Sequence, residues 1–463
     1  MNYININLEK WIILFLLIIF CTPHSLFAQD SRPNIIFILT DDQRWDALSH
    51  AGNSIIQTPE MDRLAREGTY FEKAFVTTPI CAASRASILT GLYERRHGYT
   101  FGQKMSADFM QLSYPVLLRE AGYHTGFYGK FGVDYDGKDQ LFDQWEYYDR
   151  SGQFKDRRGY FYKTIGGDSV HLSRYTGQQA LDFISNSPDN APFCLSLSFS
   201  APHAHDPAEL QYFWQEEVDH LYRDLEIPSP LMGGDRFFKR QPQFVKDGIN
   251  RTRWYWRYDT PEKYQHSVKG YYRMIAGIDR ELGKIRKLLE QKQLADNTII
   301  VLMGDNGYFL GERQLAGKWL MYDNSLRVPL IINDPRQEGG QRVSELALNI
   351  DVPATMLDLA GLPLPDGWQG MSLQPYLQGD KPLKQRQDFL CEHLWEIDFI
   401  PASEGIRSEN WKYFRYREHP EHEELYDLQN DPNEKKNLAG KRRYQQMLEQ
   451  MRSRCDALIQ LNF

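Results

Sequence analysis

Short apolar runs alternate with helix-like stretches along much of the chain. Residues 34–39 are almost continuously apolar, and residues 193–198 and 298–303 have a similar character, as expected of strands buried on both faces. Apolar residues at helical spacing from Ile275 to Leu289 lead directly into the third run. Strands that alternate with helices predict an α/β fold, with a large, mostly parallel mixed sheet sandwiched by helices.

Helix and strand signals also occur between these runs. Thr58, Pro59 and Glu60 predict the start of a helix that Thr58 caps, and Gly68 predicts its end. Residues 123–128 predict a further strand.

Two regions depart from the alternation. Residues 208–260 are dense in Trp, Tyr, Phe and Arg and have little periodicity, which predicts an insertion packed over the sheet. Near the end of the chain, residues 405–408 and 411–416 have the pattern of a hairpin, and residues 442–461 predict a terminal helix. This part is expected to form a small α+β subdomain with antiparallel strands.

The first residues indicate a targeting segment. Lys10 precedes the apolar run of residues 11–21, and a possible cleavage region follows. An apolar run this short does not comfortably span a bilayer, so a cleaved signal peptide is favoured over an uncleaved anchor. We therefore expect an exported protein without a membrane anchor after cleavage, in the periplasm in preference to the medium. The predicted organisation is a signal peptide over residues 1–28, an α/β domain over residues 29–384 that contains the insertion, and a subdomain over residues 385–463.

Composition narrows the functional class. The chain has 463 residues, of which 41% are hydrophobic and 25% are charged, and its net charge is −8. These values describe an ordinary globular protein without the basic field that nucleic acid requires. Cys81, Cys194, Cys391 and Cys455 are too scattered for a disulfide scaffold. Cys194 and Cys455 are predicted to be core thiols. Cys81 is the cysteine whose neighbouring residues suggest a chemical role.

Polar clusters follow four of the predicted strands. Ligands of open α/β sheets bind beyond the carboxyl ends of the strands, so these clusters are expected to converge at one edge of the sheet. They are Asp41-Asp42, Gly129-Lys130, Ala201-Pro202-His203 and Gly304-Asp305-Asn306.

The acidic clusters predict a cation site. Asp41, Asp42, Asp305 and Asn306 offer only oxygen ligands, which suit Ca²⁺ or Mg²⁺ better than zinc. A single Asp-Asp pair would more simply be a helix cap with a solvated neighbour. The second pair after a second buried strand favours the cation site.

Cys81-Ala82-Ala83-Ser84-Arg85 leads into a helix-like stretch. Residues 81 and 85 would share a face of its first turn, where the helix end favours negative charge, so Arg85 could steady an anion on residue 81. From the spacing alone, a buried cysteine beside a surface arginine is an equally good interpretation.

This stretch resembles the signature of the type I sulfatases of the alkaline-phosphatase superfamily. In that signature, Cys-x-(Pro/Ala)-x-Arg, the cysteine is oxidised to formylglycine. The resemblance extends over nearly the whole mature chain and includes bacterial polysaccharide-utilisation sulfatases. Further matching stretches are Arg32-Pro33-Asn34-Ile35, Gly91-Leu92-Tyr93, Gly317-Lys318, Arg327-Val328-Pro329-Leu330, Gln369-Gly370 and Glu424-Leu425-Tyr426-Asp427-Leu428.

The resemblance implies a role for each matching residue. Cys81, once oxidised by a formylglycine-generating maturase, would be the nucleophile, and Arg85 would fix its hydrate. Lys130 and Lys318 would clamp sulfate oxygens, and His203 would protonate the leaving alcohol. The modified residue 81 would join the ligands of one Ca²⁺ per chain, which are Asp41, Asp42, Asp305 and Asn306.

The chemistry of a sulfate ester agrees with these assignments. The ester is already anionic, so attack requires the neutralisation that a divalent cation and two ammonium groups supply. One hydroxyl of an aldehyde hydrate can attack sulfur, and the other can later expel sulfate by reforming the carbonyl. One position departs from the family pattern, because Gly132 stands where many members have a histidine. His97 is a candidate replacement, although a packing role fits it equally well.

The substrate has weaker signals. Residues 251–258 combine cations with aromatic rings, which could bind a sulfated sugar, but an aromatic core with arginines at its rim is an equally good interpretation. The substrate-binding candidates are His205, Arg251, Arg253, Trp254 and Arg257, with His393, Arg407 and Lys412 of the subdomain as further possibilities.

Three hypotheses follow. The first is a sulfatase acting on a sulfated glycan, such as ulvan, carrageenan or a glycosaminoglycan. The second is a phosphonate or phosphate diester hydrolase of the same superfamily. The third is a non-catalytic glycan-binding descendant, because Gly132 breaks one expected position.

Overall fold

The computed structural model describes residues 32–148, 161–206, 208–382 and 385–461. The predicted signal peptide over residues 1–28 lies outside these residues. The strands are β1 (Asn34–Thr40), β2 (Thr69–Phe75), β3 (His124–Gly129), β4 (Gln144–Tyr147), β5 (Tyr162–Ile165), β6 (Asp168–His171), β7 (Phe193–Phe199), β8 (Thr298–Gly304), β9 (Phe309–Leu310), β10 (Ala316–Gly317), β11 (Leu330–Asn333), β12 (Gln341–Leu348), β13 (Asp388–His393), β14 (Ser403–Ser408), β15 (Trp411–Tyr416) and β16 (His419–Asp427). The helices are α1 (Pro59–Glu67), α2 (Cys81–Thr90), α3 (Glu94–His97), α4 (Ala107–Met110), α5 (Tyr114–Glu120), α6 (Leu172–Asn186), α7 (Asp235–Phe238), α8 (Gln243–Lys246), α9 (Ile249–Arg257), α10 (Pro261–Gln291), α11 (Asp323–Leu326), α12 (Asp351–Leu359), α13 (Gln374–Leu377) and α14 (Gln445–Leu461).

The main sheet has eight strands in the order β12-β2-β11-β8-β1-β7-β3-β4. Within it, β11 pairs antiparallel with both β2 and β8, whereas the other neighbouring strands pair in parallel. The predicted mostly parallel mixed sheet is confirmed. Because β1, β3, β7 and β8 run in the same direction, their carboxyl ends lie at a common edge.

Strand β1 shows why the buried strands of the main sheet are continuous apolar runs in the sequence. Ile35, Phe37 and Leu39 point into one hydrophobic cluster, and Ile36 and Ile38 point into another. Both clusters lie under helices, so each face of the strand is removed from water and few polar residues are tolerated. Helices α2 and α12 cover the first face, and α6 and α10 cover the second.

Gly129 lets β3 end against β7. A Cβ atom at this position would lie 1.9 Å from the carbonyl oxygen of Ser198, and the residue has a φ of +127°. Only glycine combines this backbone conformation with so close an approach. The next N–H, that of Lys130, donates to the same carbonyl oxygen at 2.9 Å, so the lysine begins directly at the sheet edge.

The C-terminal subdomain contains an antiparallel sheet in the order β13-β14-β15-β16. Helix α14 packs on this sheet, with Leu448, Met451 and Cys455 buried. The predicted hairpin and terminal helix are confirmed. The subdomain shares a hydrophobic cluster with the main sheet, so the two parts pack as a continuous core.

Residues 208–260 contain short helices beside the carboxyl edge of the main sheet. The side-chain amide of Asn250 in α9 donates to the carbonyl oxygens of Ala316 at 2.9 Å and Lys318 at 3.0 Å, which fixes the segment that carries Lys318. Among the described residues, none of the helices has both the length and the apolar character that a membrane crossing requires.

Candidate active site

The polar clusters that follow β1, β3, β7 and β8 meet at one point. The N–H of Asp305 donates to the carbonyl of Thr40 at 2.9 Å, and the N–H of Asp41 donates to the carbonyl of Ala201 at 3.1 Å. These bonds continue the pairing of parallel strands beyond their ends. The predicted convergence of the clusters is confirmed.

A buried group of acids and amides forms the floor of the site. Asp41, Asp42, Asp305 and Asn306 are each at most 1% exposed. The N–H of Asp42 donates to Oδ1 of Asp305 at 3.0 Å, and Nδ2 of Asn306 donates to Oδ1 of Asp42 at 2.7 Å. Hydrogen bonds between the clusters therefore hold the side chains from β1 and β8 together.

Two buried lysines balance the acids. Nζ of Lys130 donates to Oδ2 of Asp41 at 2.5 Å, and Nζ of Lys318 donates to Oδ1 of Asp42 and lies 3.9 Å from Oδ1 of Asp41. Burial alone would raise the pKa of Asp41, but Lys130, His203 and Lys318 hold it well below its ordinary value. Burial likewise opposes the charge of Lys318, but Asp42 and Cys81 raise the pKa of that lysine above its ordinary value.

Asp305 differs from Asp41 in its electrostatics. Burial and the neighbouring Asp41 carboxylate raise the pKa of Asp305 to about 6, although Arg85 opposes the shift. Several carboxylates that share a buried site repel one another, and a cation relieves that repulsion.

Arg85 connects α2 to the sheet edge. Its Nε donates to Oδ2 of Asp305 at 2.8 Å, and its Nη1 donates to the carbonyl of Lys130 at 2.7 Å and to Oγ of Ser198 at 2.5 Å. Nη2 of Arg85 is buried and has no hydrogen-bond partner within the described ranges. Cys81, one turn earlier at the start of α2, interacts electrostatically with Arg85.

His203 has a defined tautomer. Its Nδ1 lies 2.5 Å from the carbonyl oxygen of Ala204, which can only accept, so Nδ1 carries a hydrogen. Its Nε2 lies 3.5 Å from Oδ2 of Asp42. Nε2 is therefore the nitrogen that can exchange a proton with a ligand in the site.

The donor set fits a hard divalent cation. Oδ2 of Asp42 and Oδ1 of Asn306 are buried and accept no hydrogen bond from the part of the chain that the structure describes. Donor atoms of Asp41, Asp42 and His203 lie within 4.8 Å of one another. Buried carboxylate and amide oxygens that lack hydrogen-bond donors are the ligands that Ca²⁺ and Mg²⁺ prefer.

A cleft of about 810 Å³ opens above this floor. Cys81, Lys130, His203 and Lys318 line it, and Arg253 reaches it from α9. The side chain of Cys81 is 7% exposed, so its sulfur lies at the base of the cleft. The structure thus brings together the predicted nucleophile, both lysines and the histidine.

The other substrate-binding candidates lie away from the described lining of this cleft. His205 packs between Phe161 and Phe213, and Arg257 is buried in an ion pair with Asp206. Of the five candidates, only Arg253 belongs to the described lining, and it also pairs with Asp206.

Arg251 and Trp254 contact each other. The guanidinium of Arg251 lies 4.0 Å from the ring centroid of Trp254, and it donates to Oε1 of Gln314 at 2.9 Å. These contacts match the second interpretation of residues 251–258, an aromatic cluster with arginines at its rim.

The subdomain candidates have structural partners. Lys412 bonds to Asp323 and Glu434 and is fully buried, and Arg407 pairs with Asp323 at 3.2 Å. His393 is also fully buried. Contrary to the expectation that these three residues face the pocket, none of them belongs to the described lining of the cleft. The two cations, Arg407 and Lys412, are held by carboxylates of the protein, as buried charges require.

His97 is not part of the described cleft lining. Its Nδ1 accepts the N–H of Tyr99 at 3.0 Å, and its Nε2 lies 3.0 Å from Oγ of Ser87. Burial lowers the pKa of His97 to about 3. These bonds give His97 the packing role that was its alternative interpretation.

Gly132 leaves no room for a side chain. A Cβ atom there would lie 2.8 Å from Cδ of Arg85, and the residue has a φ of +73°. Arg85 therefore occupies the place where a side chain at position 132 would begin.

Several cleft residues had no signal in the sequence. Phe101, Trp319, Trp395 and Phe399 line the cleft together with Asp134. Trp319 follows Lys318 directly and could have been found from that neighbour. The others come from loops, which carry no periodicity that reveals their direction.

Comparison with known proteins identifies the family. The sulfatase family model matches residues 33–362. The chain belongs to the sulfatase family. A second model, that of the C-terminal part of N-sulphoglucosamine sulphohydrolase, matches residues 311–460. The prediction of a sulfuric ester hydrolase is confirmed, and so is the resemblance of this chain to the sulfatases.

Curated relatives cover most of this sulfatase. An N-acetylglucosamine-6-O-sulfatase of Bacteroides thetaiotaomicron is 29% identical over 480 residues, covering 90% of this chain and 84% of that protein. An ulvan-active sulfatase of Formosa agariphila is 26% identical, covering 89% of this chain and 78% of that protein. A solved structure in complex with its substrate D-glucosamine-2-N,6-O-disulfate has a TM-score of 0.77 and 27% identity, covering 93% of this chain and 98% of that one.

Proposed function

We propose that this sulfatase is an exported, periplasmic enzyme that hydrolyses sulfate esters of glycans, with Cys81 matured to formylglycine as the nucleophile. One observation carries the proposal. Cys81 lies at the start of α2 and at the base of a cleft that Lys130, Lys318 and His203 also line, above buried carboxylates. A thiol with a merely structural role has no need of such surroundings.

The anion-binding groups come from three different elements. Lys130 and Lys318 reach the cleft from the sheet edge and from the segment after β10, so an ester oxygen can be held from two sides. Their ammonium groups neutralise a sulfate ester as its charge is redistributed. The start of α2 adds the partial positive charge of a helix N-terminus at residue 81.

Arg85 is the proposed positioning residue for the nucleophile. Two of its nitrogens are held by Asp305, Lys130 and Ser198, while Nη2 is buried without a partner among the described residues. Nη2 can therefore donate a hydrogen bond to an oxygen of matured residue 81. The formylglycine hydrate supplies the attacking hydroxyl and the group that later expels sulfate.

His203 is the proposed acid for the leaving alcohol. Its Nδ1 is engaged by the carbonyl of Ala204, which fixes the ring, and Nε2 is the nitrogen that we assign to proton transfer. The ring lines the cleft at 6% exposure, so water has little access to the proton. Protonation of the departing oxygen lowers the cost of breaking the sulfur–oxygen bond.

The proposed metal ligands are Asp41, Asp42, Asp305 and Asn306, joined by matured residue 81. Ca²⁺ bound there would supply the charge that polarises the ester oxygens. Oδ2 of Asp42 and Oδ1 of Asn306, which accept no hydrogen bond within the described ranges, support this assignment.

A glycan substrate is supported by the relatives, which include an N-acetylglucosamine-6-O-sulfatase and an ulvan-active sulfatase. The volume of the cleft also supports it, because about 810 Å³ holds more than a sulfate group. A sugar ring can occupy the space between the catalytic floor and Arg253.

The test is Cys81→Ala, compared with wild type and with the matched control Cys455→Ala, which removes a thiol in α14. Sulfate release from sulfated oligosaccharides should disappear in the first variant and persist in the control, with unchanged circular dichroism in both. Mass spectrometry of the peptide spanning residue 81 should show the aldehyde in wild type. Wild-type rates in Cys81→Ala, or phosphodiester turnover far above sulfate turnover, would overturn the proposal.

A further inference from the structure

The mouth of the cleft is lined by aromatic rings. Phe101 and Phe399 are 39% and 47% exposed, and Trp395 packs edge-on against Phe101 with 5.0 Å between ring centroids. All three belong to the cleft lining, and they come from two loops that are distant in sequence. Rings left in water at the mouth of a binding cleft favour a ligand that covers them.

The charges of the mouth differ from those of the floor. Lys130, His203 and Lys318 line the cleft beside Cys81, whereas the mouth carries the exposed acids Asp134 and Asp136. Asp136 pairs with Lys104 at 2.5 Å. This part of the lining therefore offers two carboxylates to any group that lies above the floor, of which Asp134 has no salt bridge among the described residues.

The cations of the mouth are already engaged. Arg253 pairs with Asp206 and lies 4.3 Å from the ring centroid of Trp319. Nζ of Lys138 lies 5.3 Å from the ring centroid of Tyr147. A second anionic group on the substrate would thus meet carboxylates and would have to compete for paired cations.

We propose that the mouth is a stacking subsite for an uncharged sugar ring that adjoins the sulfated one. The substrate class is then a sparsely sulfated glycan with neutral neighbouring residues, not a polysulfated or uronate-rich chain. This inference rests on the proposed function. The apolar face of the sugar covers Phe101 and Phe399, and its hydroxyls donate to the Asp134 carboxylate.

Matched disaccharides test the charge argument. Each carries the same sulfated sugar, and the neighbouring sugar is neutral, sulfated or a uronate. We expect kcat/KM to be about tenfold higher with the neutral neighbour, because each charged neighbour approaches Asp134 and Asp136. Equal or faster turnover with a charged neighbour would overturn the proposal.

Ring removal tests the stacking argument. The double variant Phe101→Ala/Phe399→Ala removes exposed rings, so folding should be preserved. We expect kcat/KM for the neutral disaccharide to fall about tenfold while the sulfated monosaccharide changes less than about twofold. The matched control is Tyr255→Ala, which removes a ring that is 49% exposed outside the described lining and should leave both substrates unchanged. An equal loss for both substrates, or no loss, would contradict the subsite.

A binding measurement separates this proposal from the proposed function. Titration calorimetry with Cys81→Ala and the desulfated neutral disaccharide should show binding that the added Phe101→Ala/Phe399→Ala change weakens. If sulfate release fails for every substrate but this binding persists, the proposed function fails and the stacking subsite stands. If sulfate release occurs and the added change leaves this binding unaltered, the subsite fails alone.

Discussion

Asp42 occupies a backbone conformation that residues other than glycine rarely adopt, with a φ of +69°. Such a conformation costs about 1–3 kcal/mol and persists only where the surroundings enforce it. Here the N–H donates to Asp305 at 3.0 Å, the carbonyl accepts from the Tyr271 hydroxyl at 2.7 Å, and the side chain accepts from Asn306 at 2.7 Å. The strain is the consequence of aiming the carboxylate into the site.

Calcium should stabilise the protein as well as activate it. Chelation should abolish sulfate release and lower the Tm, and Ca²⁺ should restore both, with about 2.7 kcal/mol of added stability at one hundred times the Kd. Asp42→Asn should lose most of the calcium-dependent shift in Tm, because it removes a ligand charge at nearly constant shape. Asp108→Asn, at an exposed acid of α4, is the control. Full activity in a rigorously metal-free sample would contradict the ligand assignment.

Gly132→Ala should reduce activity by more than its effect on stability explains. Its Cβ would displace Arg85, from which it lies 2.8 Å, so kcat should fall at least about tenfold. The positive φ alone should cost about 1 kcal/mol of unfolding free energy. Gly52→Ala is matched, since Gly52 has a φ of +97° and open space around it. Comparable urea midpoints with unequal kcat would support the role of Arg85, and equal kcat would reject it.

Among the secondary-structure elements, the first turn of α1 is capped by a residue from a distant helix. The sequence predicts that Thr58 caps α1, but its side chain makes no capping bond to the helix backbone. Asp279 of α10 instead accepts the N–H groups of Glu60 at 3.2 Å and Met61 at 2.8 Å. A carboxylate from another helix therefore replaces the predicted local cap, and it also ties α1 to α10.

Asp279 should make stability depend on pH. Burial raises the pKa of Asp279 to about 7, above its ordinary value of 3.8. The folded protein then keeps a proton that the unfolded chain releases, so this contribution to stability is full below about pH 4 and falls as the pH rises to about 7. The stability of wild type relative to Asp279→Asn should fall by on the order of 2 kcal/mol between pH 5 and pH 8.

Urea unfolding at the two pH values measures this difference. Asp296→Asn, at an exposed acid, is the control and should show no such dependence. A difference between wild type and Asp279→Asn that stays constant or grows with pH would contradict the assignment.

At the scale of the whole molecule, a buried ion network joins the C-terminal subdomain to the main domain. Lys412 of β15 bonds to Asp323 of α11 and to Glu434, 2.5 Å from Oε1 of the latter. Burial opposes the charge of Asp323, but Lys412 and Arg407 lower the pKa of that carboxyl below its ordinary value. The hydrophobic cluster also continues across this boundary, so the parts should unfold together.

Lys412→Met should destabilise the entire protein by about 3–5 kcal/mol, because it leaves buried carboxylates without their counterion. Calorimetry should show a single transition at a lower Tm. Lys381→Met is the control, since that lysine is 71% exposed and pairs with Glu345 at 3.0 Å, and it should change stability by less than about 0.5 kcal/mol. Separate transitions for the two parts would reject the shared core.

The fold class, the edge of the sheet where the polar clusters meet, and the family could all be predicted from local sequence. Apolar runs identify strands buried on both faces, and residues that directly follow such strands have little freedom in where they lie. Asp41, Lys130, His203 and Asp305 were predictable for this reason, as was Cys81 from its motif.

Which other residues face the cleft depends on contacts that appear only in the folded protein. Arg251, Trp254 and Arg257 have the composition of a sugar site but turn to Gln314, to each other and to Asp206. Phe101 and Phe399 carry no motif but line the mouth. The direction of a loop side chain depends on contacts between segments far apart in sequence, and local pattern contains no information about such contacts.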